Sequence, residues 1–260
     1  MKFDISFIGA GNMGSALLAA AAKTGKKIAV FDVDAAKAQA LAERTGAAVA
    51  SAEEIAEESR VVFLAVKPNI IENVCKNLAG RFAPETLLVT MAAGKTLAEI
   101  SAAAGTDRVI RIMPNTPAAV GRGMTVYAPG AGVSAEDEAL FLEAMAHAGV
   151  TDKLSEKLID AAMALSGCGP AYVYQLAEAL ADGAVACGLP RDKANLYAAA
   201  TLAGAAEMLL QSGKHPGELK DAVCSPGGTT IAGVLKLEEK GFRGAASEAV
   251  IAAYEKTKKL

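Results

Sequence analysis

The segment Phe7-Ile8-Gly9-Ala10-Gly11-Asn12-Met13-Gly14 decides the fold of this 260-residue chain. It places three glycines with the spacing GxGxxG between a short apolar run and an alanine-rich stretch. In dinucleotide-binding folds the first glycine makes a tight turn, the second lets the backbone approach a pyrophosphate, and the third permits close packing of helix on strand. We therefore predict a dinucleotide site formed by Ile8, Gly9, Ala10, Gly11, Asn12, Met13 and Gly14.

Apolar runs of strand length alternate with helical stretches along the first part of the chain. The runs lie at 5–8, 28–31, 61–66, 87–90 and 109–112, with a further candidate at 124–127. The helical stretches include 15–23, 34–44 and 135–146. This alternation predicts an α/β domain over 1–152, with a parallel sheet covered by helices on both faces.

The pattern changes near Asp152, after which strand signals disappear. We predict an all-α domain of five or six helices over 153–260. Its segments 171–186 and 192–210 are apolar or alanine on most faces, and such helices must be buried. A domain of roughly 110 residues has little interior in which to bury them. We therefore expect a homodimer with interlocked helices, in which the partner chain contributes residues to the active site.

Asp32 follows the second predicted strand, 18 residues after Gly14. An acidic residue near this position contacts the ribose 2′-hydroxyl in NAD-binding domains, and a carboxylate there repels the 2′-phosphate of NADP. The nearest following cation is Lys37. In the alternative interpretation Asp34 is a helix cap and Asp32 is merely solvated.

Three further segments follow predicted strands, and ligands of open parallel sheets bind at the carboxyl ends of the strands. We predict that the cofactor is lined by Ala65, Val66, Lys67, Pro68, Ala92, Ala93, Gly94 and Asn115. Pro68 has an alternative role as a helix start. Asn115, within Arg111-Ile112-Met113-Pro114-Asn115-Thr116-Pro117, has an alternative role in a structural turn.

The segment DAVCSPGGTTIAGVLKLE, at 221–238, contains a second glycine-rich turn. One helix ends at 224–226, Gly227-Gly228 form the turn, and Thr229-Thr230 open the next helix. The first N–H groups of a helix have no partner within it, and the helix dipole favours an anion beside them. The segment therefore predicts a carboxylate site flanked by two threonine hydroxyls. The alternative is a glycine-rich helix cap without a ligand.

Composition excludes several other classes of function. The net charge of −3 and the absence of a basic block argue against nucleic acid. No apolar stretch is long enough to span a bilayer, and we find no signal peptide, so no membrane partner is expected. Two histidines and four cysteines without a CxxC motif argue against a metal site. Free thiols in a reducing cytoplasm are the expected state.

Taken together, these segments resemble the pyrroline-5-carboxylate reductase family. The resemblance covers the whole chain through GAGNMG at 9–14, AVKP at 65–68, RIMPNTP at 111–117, SGCGPAY at 166–172 and the segment at 221–238. It implies a Rossmann domain followed by a helical dimerisation domain, and a homodimer that extends in some members to a ring of dimers. It also implies reduction of 1-pyrroline-5-carboxylate to L-proline by NADPH or NADH, the last step of proline biosynthesis.

The resemblance assigns substrate binding to Ser225, Pro226, Gly227, Gly228, Thr229 and Thr230. Thr230 is the implied catalytic residue, through a hydrogen bond to the ring nitrogen of the substrate. This chain has Cys168 where the family usually has serine, and a thiol is the weaker hydrogen-bonding group. Its sequence after the second strand, Phe31-Asp32-Val33-Asp34, is also more typical of NAD than that of many members.

Two other functions are weighed against this one. A β-hydroxyacid dehydrogenase shares the early glycine motif and a helical second domain. Its catalytic lysine lies four residues past the second glycine of a GxG turn, where this chain has Val173 after Gly167-Cys168-Gly169. A non-catalytic NAD-sensing protein has no need for the turn at 225–230. Turnover, as opposed to binding of NADH alone, separates the last two possibilities.

Overall fold

The computed structural model describes residues 1–259 and divides into two compact units. The first unit is Met1–Cys168 together with the residues from Ala253 onward, and the second is Gly169–Ala252. The composition of the sequence predicts a boundary between two domains after residue 152. This division into independent domains stays a prediction.

The first unit is built on an eight-stranded sheet, which confirms the predicted α/β class. Its strands are β1 Phe3–Ile8, β2 Ile28–Phe31, β3 Ala48–Val49, β4 Ser59–Leu64, β5 Leu87–Thr90, β6 Val109–Met113, β7 Gly123–Pro129 and β8 Gly149–Lys153. Their order is β3-β2-β1-β4-β5-β6-β7-β8, and every neighbouring pair is parallel except β6 and β7.

The sequence does not predict β3 or β8. β3 has only two residues, both exposed, and β8 contributes the polar sequence GVTDK to the edge of the sheet. Neither strand has the apolar run that marks a buried strand, because each lies at an edge where burial is incomplete. The predicted strand at 61–66 also ends earlier, at Leu64, so that Ala65 and Val66 belong to the following loop.

Helices cover both faces of the sheet. They are α1 Asn12–Ala21, α2 Ala35–Thr45, α3 Ala52–Glu58, α4 Ile71–Leu78, α5 Leu97–Ala104 and α6 Ala135–Met145. Successive strand residues point to opposite faces. Phe7 therefore stacks on Phe63 in one core, with ring centroids 4.6 Å apart, while Ile8 and Leu64 belong to the other core. Burial on both faces is the expected state of a parallel sheet.

The order in which the chain adds strands to the sheet reverses at β1. β2 and β3 lie on one side of it and β4 on the other, so the switch point falls between β1 and β4. The ends of these strands are joined by hydrogen bonds from Gly9 N–H to Phe31 O (2.7 Å) and from Ala65 N–H to Ile8 O (2.8 Å). Such switch points are where open α/β sheets bind ligands.

The segment of the first unit that follows β8 is held against the sheet by polar side chains. It includes the short helix α7, Ile159–Ala162, and a π-helix, Met163–Gly167. Arg111, buried in β6, donates to Asp160 Oδ1 at 2.7 Å and to Glu156 Oε1 at 3.4 Å.

The second unit is helical, as the sequence predicts. Its helices are α8 Gly169–Ala186, α9 Arg191–Ser212, α10 Pro216–Ala222, α11 Thr229–Glu239 and most of α12, Phe242–Thr257, whose residues from Ala253 onward belong to the first unit. α8 and α9 pack through three buried alanines, Ala181, Ala194 and Ala198. Large apolar side chains of this unit stay exposed in the single chain, among them Tyr174, Leu196, Tyr197, Leu210 and Leu235. Across residues 1–259, no helix combines the length and apolar character needed to cross a bilayer.

Candidate active site

The three glycines of the first turn meet different surroundings. Gly9 has φ +109°, and a Cβ there would lie 2.5 Å from the carbonyl oxygen of Ala65. A Cβ on Gly14 would lie 2.4 Å from the carbonyl oxygen of Gly9. A Cβ on Gly11 would meet no atom within 4 Å. Gly9 and Gly14 are therefore required by packing, whereas Gly11 borders open space.

Helix α1 begins at this open position without a capping side chain. Its N-cap, Gly11, has extended backbone angles (φ −69°, ψ −178°) and makes no side-chain capping hydrogen bond. Neighbouring helices are capped differently, by side chains of Asp34, Ser51, Thr96 and Ser134. An uncapped helix N-terminus beside an open glycine fits a pyrophosphate group.

The Asp32 carboxylate is held next to the glycine-rich turn. Its Oδ2 accepts from Ala10 N–H at 2.6 Å, and its Oδ1 accepts from Asp34 N–H at 2.9 Å. Asp34 in turn caps α2, since its Oδ1 accepts from the N–H groups of Ala36 and Lys37. Asp34 is thus a helix cap, as the alternative interpretation proposed, but Asp32 is not merely solvated.

The loops after β4 and β5 lie at the same edge of the sheet. Ala65 and Val66 are half-buried beside Gly9, and Val66 Cγ1 is 3.3 Å from where a Cβ of Gly9 would lie. Lys67 and Pro68 are exposed, and Pro68 lies in the turn before α4, outside the helix. After β5, Ala92 is buried, Ala93 is half-buried and Gly94 is exposed with φ +72°.

Lys95, in the loop after β5, connects this loop to helices α4 and α5, and sequence reasoning missed it. Its Nζ is 2.6 Å from Glu72 Oε1 at the start of α4 and 3.7 Å from Glu99 in α5. The hydrogen bond from Lys95 and its charge lower the pKa of Glu72. The signal in the sequence was a lysine directly after the Ala-Ala-Gly loop, but its partner lies 23 residues away in the chain.

Asn115 is occupied by backbone partners. Its Nδ2 donates to Ser166 O in the π-helix, and its Oδ1 accepts from Met124 N–H in β7, both at 2.9 Å. The side chain is buried, at 8% exposure. This geometry favours the alternative interpretation, in which Asn115 is a structural turn residue that joins two segments to the end of β6.

The second glycine-rich turn has the predicted form. Gly228 N–H donates to Ser225 O at 3.0 Å, and Gly227 has φ +69° after Pro226, the pattern of a type II turn. Gly228 is then the N-cap of α11 (φ −78°, ψ 172°), again with no capping side chain. Thr229 and Thr230 occupy the exposed first turn of α11. The preceding helix α10 ends at Ala222, two residues earlier than predicted.

Gly11 and Gly228 thus open two helices with similar backbone geometry. Each is an extended glycine N-cap without a side-chain capping hydrogen bond. Their surroundings differ, because Ser225 Oγ lies 2.3 Å from where a Cβ of Gly228 would be, whereas a Cβ on Gly11 would meet no atom within 4 Å. The residues predicted around the dinucleotide lie in the first unit, and the residues predicted around the substrate lie in the second.

A Rossmann-type sheet, an open glycine-rich turn at its switch point and a helical second unit define a dinucleotide-dependent oxidoreductase. Residues 4–94 match the family model described as NADP oxidoreductase, coenzyme F420-dependent, and residues 156–260 match the model for pyrroline-5-carboxylate reductase dimerisation. The chain is 44% identical to the pyrroline-5-carboxylate reductase of Escherichia coli (strain K12), with 100% of this chain and 99% of the relative covered. It belongs to the pyrroline-5-carboxylate reductase family.

Solved structures agree with this assignment. The pyrroline-5-carboxylate reductase of Coxiella burnetii has a TM-score of 0.91 and 32% identity, with 100% of this chain and 98% of that chain covered. The pyrroline carboxylate reductase of Plasmodium falciparum, solved with NADP bound, has a TM-score of 0.88 and 32% identity over the same shares. The Rossmann fold, the helical dimerisation domain and the use of NAD(P)H are thereby confirmed.

Proposed function

We propose that this protein reduces 1-pyrroline-5-carboxylate to L-proline with NADPH or NADH, the last step of proline biosynthesis. The observation that carries the proposal is the pair of uncapped helix N-termini at Gly11 and Gly228. One suits the pyrophosphate of a dinucleotide, and the other suits the carboxylate of a small acid. Membership of the family supplies the identity of that acid.

The dinucleotide would be held by the loops at the carboxyl edge of the sheet, and when bound it supplies the hydride. Gly11 and the N–H groups of α1 would receive the pyrophosphate, and Asp32 the ribose. The remaining contacts are proposed for Ile8, Gly9, Ala10, Asn12, Met13, Gly14, Ala65, Val66, Lys67, Pro68, Ala92, Ala93 and Gly94. Asn115 would support this edge through the backbone groups that it joins.

The substrate would be held by the turn Ser225–Gly228 and the first turn of α11. The N–H groups that follow Gly228 would bind the carboxylate, and the Thr229 hydroxyl would lie beside them. Thr230 would hydrogen-bond the ring nitrogen and so orient the imine carbon that accepts the hydride. A protonated imine is already electrophilic, so the chain mainly has to align two reactants. Alignment of that kind can lower a barrier by about 7–11 kcal/mol.

The dimerisation domain of the family supports assembly into a homo-oligomer. We propose a homodimer as the basic unit, with a ring of such dimers as the larger assembly. The four cysteines are unpaired, Cys75, Cys168, Cys187 and Cys224. Unpaired thiols support a cytoplasmic site for the reaction.

The test is steady-state oxidation of NADH and NADPH by the purified protein, with and without 1-pyrroline-5-carboxylate. We expect oxidation only when the cyclic imine acid is present. Oxidation of 3-hydroxyisobutyrate with NAD, and no activity with the imine, would instead indicate a β-hydroxyacid dehydrogenase. Binding of NADH without turnover of either substrate would indicate a sensing protein.

A further inference from the structure

We propose that Asp32 makes this protein selective for NADH over NADPH. The inference rests on the dinucleotide binding proposed above and concerns only the choice between the two cofactors. Family membership implies a nicotinamide dinucleotide without deciding which of the two this chain prefers. NADH and NADPH differ at the adenosine ribose, which carries a 2′-hydroxyl in one and a 2′-phosphate in the other.

The position of Asp32 is fixed by the backbone before any ligand arrives. Each carboxylate oxygen accepts one backbone N–H, from Ala10 at 2.6 Å and from Asp34 at 2.9 Å. Ala10 lies between the first two glycines of the turn, so the hydrogen bond places the carboxylate directly against the dinucleotide loop. Each oxygen keeps a further lone pair, which can accept from a ribose hydroxyl but not from a phosphate.

The charges around Asp32 also disfavour a 2′-phosphate. The next residue is Val33, 94% exposed, at the end of β2 where an arginine accommodates the phosphate in NADP-binding domains. The nearby Lys37 Nζ lies 3.4 Å from Asp34 Oδ2 and is thus already paired with another carboxylate. A 2′-phosphate here would meet two carboxylates and one lysine, whereas a 2′-hydroxyl would meet an acceptor ready for it.

Equilibrium titration of the full-length protein with NADH and with NADPH tests this, read out by nicotinamide fluorescence. We expect the Kd of NADPH to exceed that of NADH by about tenfold or more. D32N removes the charge and keeps an acceptor oxygen for one of the two backbone N–H groups, while its amide nitrogen cannot accept from the other. It should shrink this ratio severalfold. The double substitution D32S/V33R should invert it.

Asp4→Asn is the matched control. Asp4 is also a partly buried aspartate, and its Oδ2 accepts from Lys27 N–H at 2.9 Å. It lies near the start of β1, however, at the amino end of the strand, whereas Asp32 follows the carboxyl end of β2. Its substitution should leave the ratio unchanged.

Equal or tighter binding of NADPH by the unmodified protein would overturn the inference, and so would a ratio that D32N does not move. In either case the proposed reaction could still be observed with the imine substrate. Binding of neither dinucleotide would overturn both this inference and the proposed function.

Discussion

At the scale of single residues, the glycines of the GxGxxG turn are needed for different physical reasons. Gly14 has a neighbouring carbonyl where its side chain would be, while Gly11 has none within 4 Å. The spacing GxGxxG predicts all three glycines from the sequence. Only the surroundings separate those that packing requires from the one that borders the proposed ligand.

We therefore expect Gly11→Ser to weaken NADH binding and Gly14→Ala to lower stability. Serine fits the φ of −69° at Gly11 and is a good N-cap, so stability should change by only a few tenths of a kcal/mol. Its side chain would occupy the pyrophosphate position, and the Kd of NADH should rise about tenfold or more. Gly14→Ala should lower the free energy of unfolding by ~1–3 kcal/mol, because a Cβ would collide with the Gly9 carbonyl.

Thermal unfolding and NADH titration of both variants check this. Unaltered NADH affinity in Gly11→Ser would remove Gly11 from the site.

Thr230→Ala should lower kcat/KM by about 5- to 150-fold, the equivalent of ~1–3 kcal/mol for a lost hydrogen bond to a desolvated polar partner. Because Thr230 is exposed in the first turn of α11, the melting temperature and the Kd of NADH should stay the same. Steady-state kinetics with the imine give the measurement. Thr230→Ser keeps the hydroxyl and should recover most of the activity. If the serine variant is as impaired as the alanine variant, the hydroxyl is not the acting group.

At the scale of elements, the sequence predicts the buried apolar strands better than the ion pairs that join distant segments. The apolar runs locate the central strands to within about two residues, because burial on both faces selects them. Arg111 interrupts the apolar strand VIRIM, and that interruption was the available signal. Its partners Glu156 and Asp160 follow 45 and 49 residues later, and no local pattern connects such distances.

A second polar contact joins α6 to the sheet edge and makes stability depend on pH. Glu138 accepts from Lys153 Nζ of β8 at 2.7 Å and from the Tyr127 hydroxyl of β7 at 2.5 Å. These hydrogen bonds lower the pKa of Glu138 below 4.5. Burial and Glu138 raise the pKa of Tyr127 to about 12, so the phenol stays a donor.

A depressed carboxyl pKa stabilises the fold above the unfolded value and loses its effect as pH falls through the folded value. Glu138→Gln should therefore be less stable than the unmodified protein by about 1 kcal/mol near neutral pH. The difference should shrink below about pH 4.5. Urea unfolding at neutral and acidic pH measures it. Glu136→Gln, on the same helix but 79% exposed, is the control and should show little effect. A Glu138 difference that stays constant with pH would contradict the argument.

At the scale of the whole molecule, the second unit is incomplete as a single chain. α8 and α9 bury only small alanines against each other, while leucines and tyrosines on these helices remain exposed. Apolar surface of this extent marks an interface. The sequence predicts this exposed apolar surface, because nearly all-apolar helices lie in a short domain. It contains no pattern that determines the number of subunits.

Leu196→Glu should weaken the homo-oligomer, because a charge placed on an exposed apolar helix face is costly to bury in an interface. Leu196 is 59% exposed on α9. Light scattering should give the unmodified protein a mass of at least twice 26.4 kDa, and the variant should approach the single-chain value on dilution. Leu142→Glu, on α6 of the first unit, should leave the mass unchanged. A fully active single chain in the unmodified protein would refute the prediction.

The two glycine N-caps also bear on how the protein can be engineered for heat resistance. Glycine is only a few tenths of a kcal/mol worse than serine at a helix N-cap, whereas alanine loses about 0.5–2 kcal/mol. Leaving α1 and α11 uncapped therefore weakens the fold very little. Selection for thermostability gains almost nothing at Gly11 and Gly228, and its larger gains lie elsewhere in the chain. Turnover and heat resistance can accordingly be improved in separate rounds of mutation.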